Sequence, residues 1–431
     1  MQRVMKMNNL YNILGVILLA STVLTAGCLD DNGTDENSNL PPDSTGDSIV
    51  LGGLNEFINS TNEFSFNMYQ ELTEGNENVF FSPYSITTAL GMAYEGARGE
   101  TAAEMEQVLE IPKDRQTRLD MMKEYQSIFN KKGPSYNLST ANSYWLREGG
   151  SLKQEYKDAI ENYYLAHGEE LDFAGDPAGS VDTINEWVEG ETNEKIKDLL
   201  SVQDIDYMTY LVLTNAIYFK SDWKYQFDES ATENMDFHLS DGTDITTDMM
   251  RMCDEDIDLK YSSNSEVQLL QLPYENNEIS MYVMLPKEND IGTVSSKLDI
   301  SYLNTLKSDL TAKYIDLYLP KFKLEEKYRL KKNLKNMGMS TAFTSNADFS
   351  GINNAGLFIT KVIHQSFIEV NEEGTEAAAA TAVIMGNFSA GSAPDPIQFK
   401  ADRPFMFIIE HKESGQILFM GKVEDPTGEL G

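Results

Sequence analysis

The chain is poor in the residues that build reactive or cross-linked sites. Two cysteines, Cys28 and Cys253, stand in 431 residues, too few for a disulfide framework. Four histidines, His167, His238, His364 and His411, are scattered without metal-ligand spacing, so neither a metal nor another cofactor is expected. There is no Gly-x-Ser-x-Gly elbow, no Gly-x-x-x-x-Gly-Lys loop and no His-Glu-x-x-His pair. Those absences remove common signatures of hydrolases, nucleotide-binding enzymes and zinc peptidases. One formal match, Ser221-Asp222-Trp223-Lys224, fits the Ser-x-x-Lys of penicillin-recognising enzymes. Its companions Ser-Asp-Asn and Lys-Thr-Gly are missing, and the serine follows a strand pattern instead of opening a helix. The expectation is a protein that is not an enzyme.

Positive charge is also scarce. Lysine and arginine number 34 against 69 acidic residues, a net charge of -35. Nucleic acid and heparin-like polyanions would be repelled over most of the surface, which excludes them as partners. Lys331, Lys332 and Lys335 come nearest to a basic cluster and read as a solvated helix face. Long apolar runs are missing with one exception, Ile13 to Leu24, preceded by Arg3 and Lys6 and followed by Thr25-Ala26-Gly27-Cys28. Residues 1–27 therefore read as an export signal. The small pair ahead of Cys28 resembles a lipoprotein processing box, although Thr25 stands where a large aliphatic residue is usual. Lipidation of Cys28 is expected, with an ordinary cleaved signal or an uncleaved anchor as the alternatives. Residues 28–49 are acidic and nearly free of apolar side chains, a flexible tether that would hold an exported domain at the outer face of the cell membrane. Cys253 would then be the lone thiol of the mature domain.

What remains, residues 50–431, has the composition of one globular domain, with 41% hydrophobic and 24% charged residues over the whole chain. Helical periodicity predicts helices over 54–72, 85–95, 101–109 and 181–200. Strand patterns occupy 139–146, 209–218, 267–272, 279–285 and 315–319, and a hairpin is expected over 404–410 and 416–423. Helices first and strands mostly later indicate an α+β domain, not a parallel βαβ fold.

The most informative segment is Glu372-Glu373-Gly374-Thr375-Glu376-Ala377-Ala378-Ala379-Ala380-Thr381. Four successive alanines favour helix in isolation. Read with period two, however, Thr375, Ala377, Ala379 and Thr381 share one face and are all small, while Glu376 lies on the other. Such a strand can enter a packed sheet without overfilling the core. The segment resembles the hinge of an inhibitory serpin, a family of serine-protease inhibitors. The resemblance extends along the chain through Asn78-Val79-Phe80-Phe81-Ser82-Pro83-Tyr84-Ser85-Ile86, Gly96-Ala97-Arg98-Gly99-Glu100-Thr101 and Ile184-Asn185-Glu186-Trp187-Val188. It continues with Leu213-Thr214-Asn215-Ala216-Ile217-Tyr218-Phe219-Lys220, Trp223, Phe399 to Phe407 and Phe419 to Val423. These strings occur in family order over roughly residues 50 to 427.

The resemblance implies three β-sheets, about eight or nine helices and an exposed reactive-centre loop over about 372–398. It implies a monomeric suicide inhibitor that a serine protease, chymotrypsin- or subtilisin-like, attacks to form an acyl-enzyme. The cleaved loop then inserts as a new strand of the main sheet, a behaviour that ranks among standard examples of strand addition and strain release. Family spacing counted from Glu372 places the reactive bond at Phe388 and Ser389, with Met385 or Asn387 as alternatives because the loop is about two residues longer than usual. Asn387-Phe388-Ser389 also spells a glycosylation sequon. Ser82, Ser85, Asn215 and His364 match a buried polar cluster beneath the sheet, and Trp223 marks the end where insertion begins. A non-inhibitory serpin cleaved as a substrate, and an inhibitor of cysteine proteases, are the competing readings.

Overall fold

The computed structural model describes residues 45–73, 75, 77–130, 136–375 and 395–428. Helices dominate its first half: α1 (Thr45–Leu72), α2 (Pro83–Gly96), α3 (Gly99–Leu109), α4 (Arg115–Phe129), α5 (Gln154–Asn162) and α6 (Pro177–Glu191). Three more, α7 (Ile291–Ser295), α8 (Ile300–Ser308) and α9 (Lys331–Asn336), lie among later strands. None is long and apolar enough to cross a membrane among the described residues. Side-chain caps fix several starts. Ser82 caps α2 by accepting from the Ser85 amide, with Pro83 in the first turn, where its missing N–H costs nothing. Asp114 and Asp176 cap α4 and α6 in the same way.

The helix expected over 181–200 stops early. α6 ends at Glu191 because Asn193 and Glu194 adopt positive φ of 51° and 61°, a left-handed backbone that no helix continues through. The amphipathic pattern persists past the stop because Ile196, Leu199 and Leu200 still bury against the sheet as an irregular segment. Helices α4 and α5 escape sequence reading, since their mean polarity hides short buried stripes such as Leu119, Met122 and Phe129.

A six-stranded sheet runs in the order β11-β12-β13-β4-β2-β3. Its members are β2 (Asn137–Arg147), β3 (His167–Leu171), β4 (Leu211–Asp222), β11 (Phe322–Arg329), β12 (Ile363–Val370) and the two-residue β13 (Gly374–Thr375). A ten-stranded path joins β1 (Val79–Phe81), β16 (Gln416–Val423), β15 (Phe405–His411), β9 (Ile279–Pro286), β8 (Val267–Pro273) and β7 (Asp258–Ser263) to β10 (Thr311–Pro320). It continues through β6 (Asp244–Met252) to β5 (Glu233–His238), with β14 (Ile397–Lys400) beside β10. β10 belongs to two sheets: residues 311–314 pair with β7, and residues 315–320 pair with β6 and β14. Counted at that junction the strands form three sheets, and the fold is α+β as expected. The hairpin of β15 and β16 also stands where the sequence places it.

Two apolar clusters sandwich the six-stranded sheet. The larger takes in α1, α2, the β15–β16 hairpin and the inner faces of β2 and β4. The smaller packs Val181, Ile184 and Val188 of α6 and its exit segment against Trp145 of β2, Ala216 of β4 and Phe367 of β12.

Candidate functional site at the opening of the main sheet

The sequence turns sharply between β12 and β13, and Asn371 makes the turn. Its Oδ1 accepts from the amides of Glu373 and Gly374 at 3.1 and 3.2 Å, and its own amide donates to the Gly374 carbonyl at 3.0 Å. Asparagine suits this position because its short side chain can replace backbone partners in a turn. Gly374 and Thr375 then pair with Asp222 and Ser221 of β4, while Thr375 also pairs with Val370 of β12. β13 is antiparallel to both, so β12 and β4 are parallel to each other. Beyond Thr375 no described strand lies between β12 and β4, and they pack directly together.

Gly374 is required by this close approach. A Cβ there would lie 2.3 Å from the Ser221 carbonyl oxygen and 2.6 Å from the Asp222 Cα. Thr375 is 1% exposed, and its hydroxyl shares a hydrogen bond of 2.6 Å with the Tyr274 hydroxyl. Burial raises the Tyr274 phenol well above its ordinary value, so it stays neutral and can serve as donor or acceptor. Tyr274 stacks on Trp223 with ring centroids 4.4 Å apart. The Trp223 amide donates to the Glu373 carbonyl at 2.8 Å, and its indole Nε1 donates to the Asn371 carbonyl at 3.0 Å.

Glu372 is anchored on the other side. Its backbone carbonyl accepts from the Phe227 amide at 2.9 Å. Its carboxylate accepts from the Thr232 hydroxyl at 2.8 Å and pairs with Lys321 Nζ at 3.0 Å. Burial pushes this carboxyl up, but the Thr232 and backbone hydrogen bonds and the Lys321 charge outweigh it and hold the group below its usual value. A cleft of about 580 Å³ opens beside these residues, floored by Glu372, Lys321 and Thr232.

Ser82, Ser85, Asn215 and His364, assigned together from sequence, do meet beneath the sheet. His364 of β12 accepts the Ser82 amide at Nε2, 3.0 Å away. Burial lowers its imidazole from 6.5 to about 3, so the ring is neutral, as an acceptor must be. The Ser82 hydroxyl donates to the Leu418 carbonyl at 2.7 Å. The Ser85 hydroxyl donates to Asn215 Oδ1 of β4, whose amide donates in turn to Asn142 of β2. The start of α2 thus offers the amide of its cap residue Ser82 to the β12 side and the Ser85 hydroxyl to the β4 side of the line where the two strands meet.

Sequence reasoning missed several members. Asn142, and Gln126 behind it, continue the polar chain to Thr88 of α2, and Ser366 of β12 donates to the Phe80 carbonyl at 2.7 Å. Asn371, Tyr274, Thr232 and Lys321 also went unassigned, because they are distant in sequence and carry no local pattern. Ser221, the serine of the Ser-x-x-Lys match, is 3% exposed and occupies a β-rung opposite Thr375. It does not open a helix. Of the remaining hinge, Glu376, Ala377, Ala378, Ala379, Ala380 and Thr381 lie outside the described residues. So do the reactive-bond candidates Phe388 and Ser389 with their alternatives Met385 and Asn387, and the lipidation candidate Cys28.

Known proteins are similar to this chain in sequence and fold. The family model described as Serpin (serine protease inhibitor) matches residues 59–426. An uncharacterized serpin-like protein of Thermococcus kodakarensis is 41% identical over 395 residues, 91% of each chain. Serpin B6 of Macaca fascicularis is 40% identical over 371 residues, covering 84% of this chain and 97% of its own. The crystal structure of Serpin48 from the insect Tenebrio molitor superposes with a TM-score of 0.77 at 33% identity, over 86% of this chain and 98% of that one. The family model spans most of the chain and the similarity to these relatives runs along nearly all of it, and the chain belongs to the serpin family.

Proposed function

We propose that the chain is an irreversible suicide inhibitor of serine endopeptidases, chymotrypsin- or subtilisin-like, that traps its target as an acyl-enzyme. Serpins mostly inhibit proteases and generally form complexes with them; the trapping mechanism and the protease class are the proposal. One observation carries it. Gly374 and Thr375 already form the first rungs of an added strand between β12 and β4. After cleavage at Phe388, residues from Glu376 onward extend that strand. Each added residue exchanges water for two main-chain hydrogen bonds, worth about 1 kcal/mol apiece, so ten residues supply on the order of 20 kcal/mol before the entropy of ordering them is subtracted. The small inward side chains Ala377, Ala379 and Thr381 add little volume to a packed interior.

In this reading Trp223, Tyr274, Asn371 and Glu372 hold the insertion point. The seam of Ser82, Ser85, Asn215 and His364 governs how readily β12 and β4 part. The acidic segment expected over 28–49, shortened to the residues ahead of α1 because that helix begins at Thr45, tethers the domain outside the cell through a lipid on Cys28.

The test is incubation with chymotrypsin and with subtilisin, followed by a denaturing gel and mass spectrometry. The proposal expects a detergent-resistant band near the summed mass and a released carboxyl-terminal peptide that begins at Ser389. Cleavage without that band would reassign the chain as a non-inhibitory serpin. Inhibition confined to cysteine proteases in the same panel would overturn the protease class alone.

A further inference from the structure

Helix α4 buries Leu119, Met122 and Phe129 along one stripe, and Gln126 lies within that stripe at 1% exposure. A buried amide costs stability unless its donors and acceptors are paired, and an aliphatic side chain would fill the space without that cost. What Gln126 gains is direction. Its Oε1 accepts from the Tyr84 hydroxyl of α2 at 3.3 Å, from the Thr140 hydroxyl of β2 at 3.3 Å and from the Asn142 amide of β2 at 3.5 Å. Its Nε2 donates to the Thr88 hydroxyl of α2 at 3.2 Å. One turn on, Asn130 at the end of α4 accepts the Thr140 backbone amide at its Oδ1, 3.1 Å away. The end of α4 thus holds β2 through both of these side chains.

Two bodies meet at this contact. β2 pairs with β4 from Asn137 and Lys220 to Leu146 and Leu211, and with β3 from Ser143 and His167 to Arg147 and Leu171, so the three strands move together. α4 belongs to the other body. Tyr125 donates to Gln416 of β16 at 3.0 Å and packs edge-on against Phe57 of α1, while Phe129 packs against Tyr84 of α2 and His411 of β15. β12 is tied to the same body, because His364 accepts from Ser82 and Ser366 donates to Phe80. A strand seated between β12 and β4 requires β4 to retreat by one strand spacing, ~4.8 Å. Apolar contact between the two bodies is non-directional and survives a slide. The bonds from α4 to β2, 3.1 to 3.5 Å long, do not survive a shift of that size.

We infer that Gln126, with Asn130, is a positioning residue of the inhibitory reaction, a brake that holds β2 and β4 in the closed sheet and sets how fast the gap beside β12 opens. The inference rests on the strand insertion proposed above. The brake acts through Thr140 and Asn142, and Asn142 passes it to β4 by accepting from the Asn215 amide. Ser85 donates to the same Asn215 and grips β4 from α2. The two helices therefore restrain neighbouring strands, and releasing α4 leaves the α2 grip in place.

The full chain is tested with chymotrypsin and subtilisin, by rapid quench and denaturing gel. Gln126→Leu fills the same space without hydrogen bonds. It should raise the limiting rate of covalent-complex formation at saturating protease at least fivefold, with no more inhibitor consumed per mole of protease than the parent needs. Thr140→Val keeps the side-chain shape and loses only the hydroxyl; it should raise the same rate at least twofold, and it decides alone if Gln126→Leu does not fold. Because the two variants break one shared bond, the double variant should be no faster than Gln126→Leu. A purely structural Gln126 predicts the opposite sign: a lower melting temperature, slower insertion and more inhibitor consumed as deacylation gains. Parental or slower complex formation in the folded variants, or higher consumption, overturns the inference, while the parent's covalent band keeps the trapping mechanism standing. Absence of that band in the parent with either protease overturns both.

Discussion

Replacing Thr375 by arginine separates a hinge that must enter the sheet from one that merely rests near it. Thr375 is 1% exposed and its hydroxyl shares a hydrogen bond of 2.6 Å with the Tyr274 hydroxyl. T375R removes that hydrogen bond, worth about 1 kcal/mol. It also asks a guanidinium to enter a space bounded by Tyr274 and the β4 and β12 backbones, and an unpaired buried charge costs several kcal/mol. Two rungs of strand, at about 1 kcal/mol per main-chain hydrogen bond, cannot offset this, so the hinge leaves its seat. If only about 3 kcal/mol of the cost reaches the insertion barrier, insertion slows more than 100-fold. Deacylation then wins, and the protease turns the loop over as a substrate. The assay titrates a fixed amount of chymotrypsin with variant and follows residual activity on a chromogenic peptide. The moles of inhibitor needed per mole of protease should rise at least tenfold. Thr375→Val, which keeps the shape and loses only the hydroxyl, should stay within a few-fold of the parent. Inhibition by T375R at parental stoichiometry would refute the reasoning.

Gly374→Ala should loosen the hinge without introducing charge. Its Cβ meets backbone atoms of Ser221 and Asp222 at 2.3 and 2.6 Å, an overpacking that costs about 1–3 kcal/mol. Amide exchange at Trp223 and Phe227, which donate to Glu373 and Glu372, should accelerate tenfold or more. Neutral His364 predicts acid sensitivity. Its folded pKa of about 3 lies below the ordinary 6.5, so its contribution is complete above 6.5 and lost as pH falls towards 3, at about 1.4 kcal/mol per pH unit. Between pH 6 and pH 4 the unfolding free energy of His364→Asn should therefore fall less steeply than the parent's by about that slope. Asp204→Asn should lower the melting temperature by a few degrees at pH 7. Burial pushes the Asp204 carboxyl up, but Arg329, Lys361 and Ser201 hold it well below the carboxylate range. The partly exposed Arg329 and Lys361 limit the loss to about 1–2 kcal/mol. That stability is present above 3.8 and lost at lower pH, so variant and parent should converge in strong acid.

Features that depend on local repetition were legible in the sequence. The β15–β16 hairpin was legible through apolar runs around His411-Lys412-Glu413-Ser414-Gly415, whereas of the alternate small residues from which a hinge was read only Thr375 falls among the described residues, seated between β12 and β4. The polar seam was legible only by likeness, since Ser82, Asn215 and His364 share no period and are joined by the fold alone. Asn371 and Tyr274 were illegible for a related reason. Asn371 holds the turn through three hydrogen bonds to Glu373 and Gly374 and Tyr274 meets Thr375 through one, but one asparagine or tyrosine in a chain carries no signal of such contacts. The early end of α6 was hidden because Ile196, Leu199 and Leu200 remain buried after the helix stops, so an apolar pattern outlasted the backbone geometry that it normally reports.

The two-residue strand β13 also sets a length constraint on the uncut chain. Thr375 is fixed in one sheet and Ile397 in another, where it pairs with Ile315. An uncut loop that followed β4 to its first residue would use the chain up to 385 and leave residues 386–396 to return along the whole sheet. At ~3.3 Å per residue those eleven span about 36 Å when fully drawn out, roughly the distance that residues 376–385 would have advanced at the same rise. The return would be taut, with its conformational freedom gone. Severing a single peptide bond relaxes that tension at once. Under the insertion proposed above, an intact loop would have almost no slack for that return, so chain continuity would oppose full insertion until a peptide bond is cut.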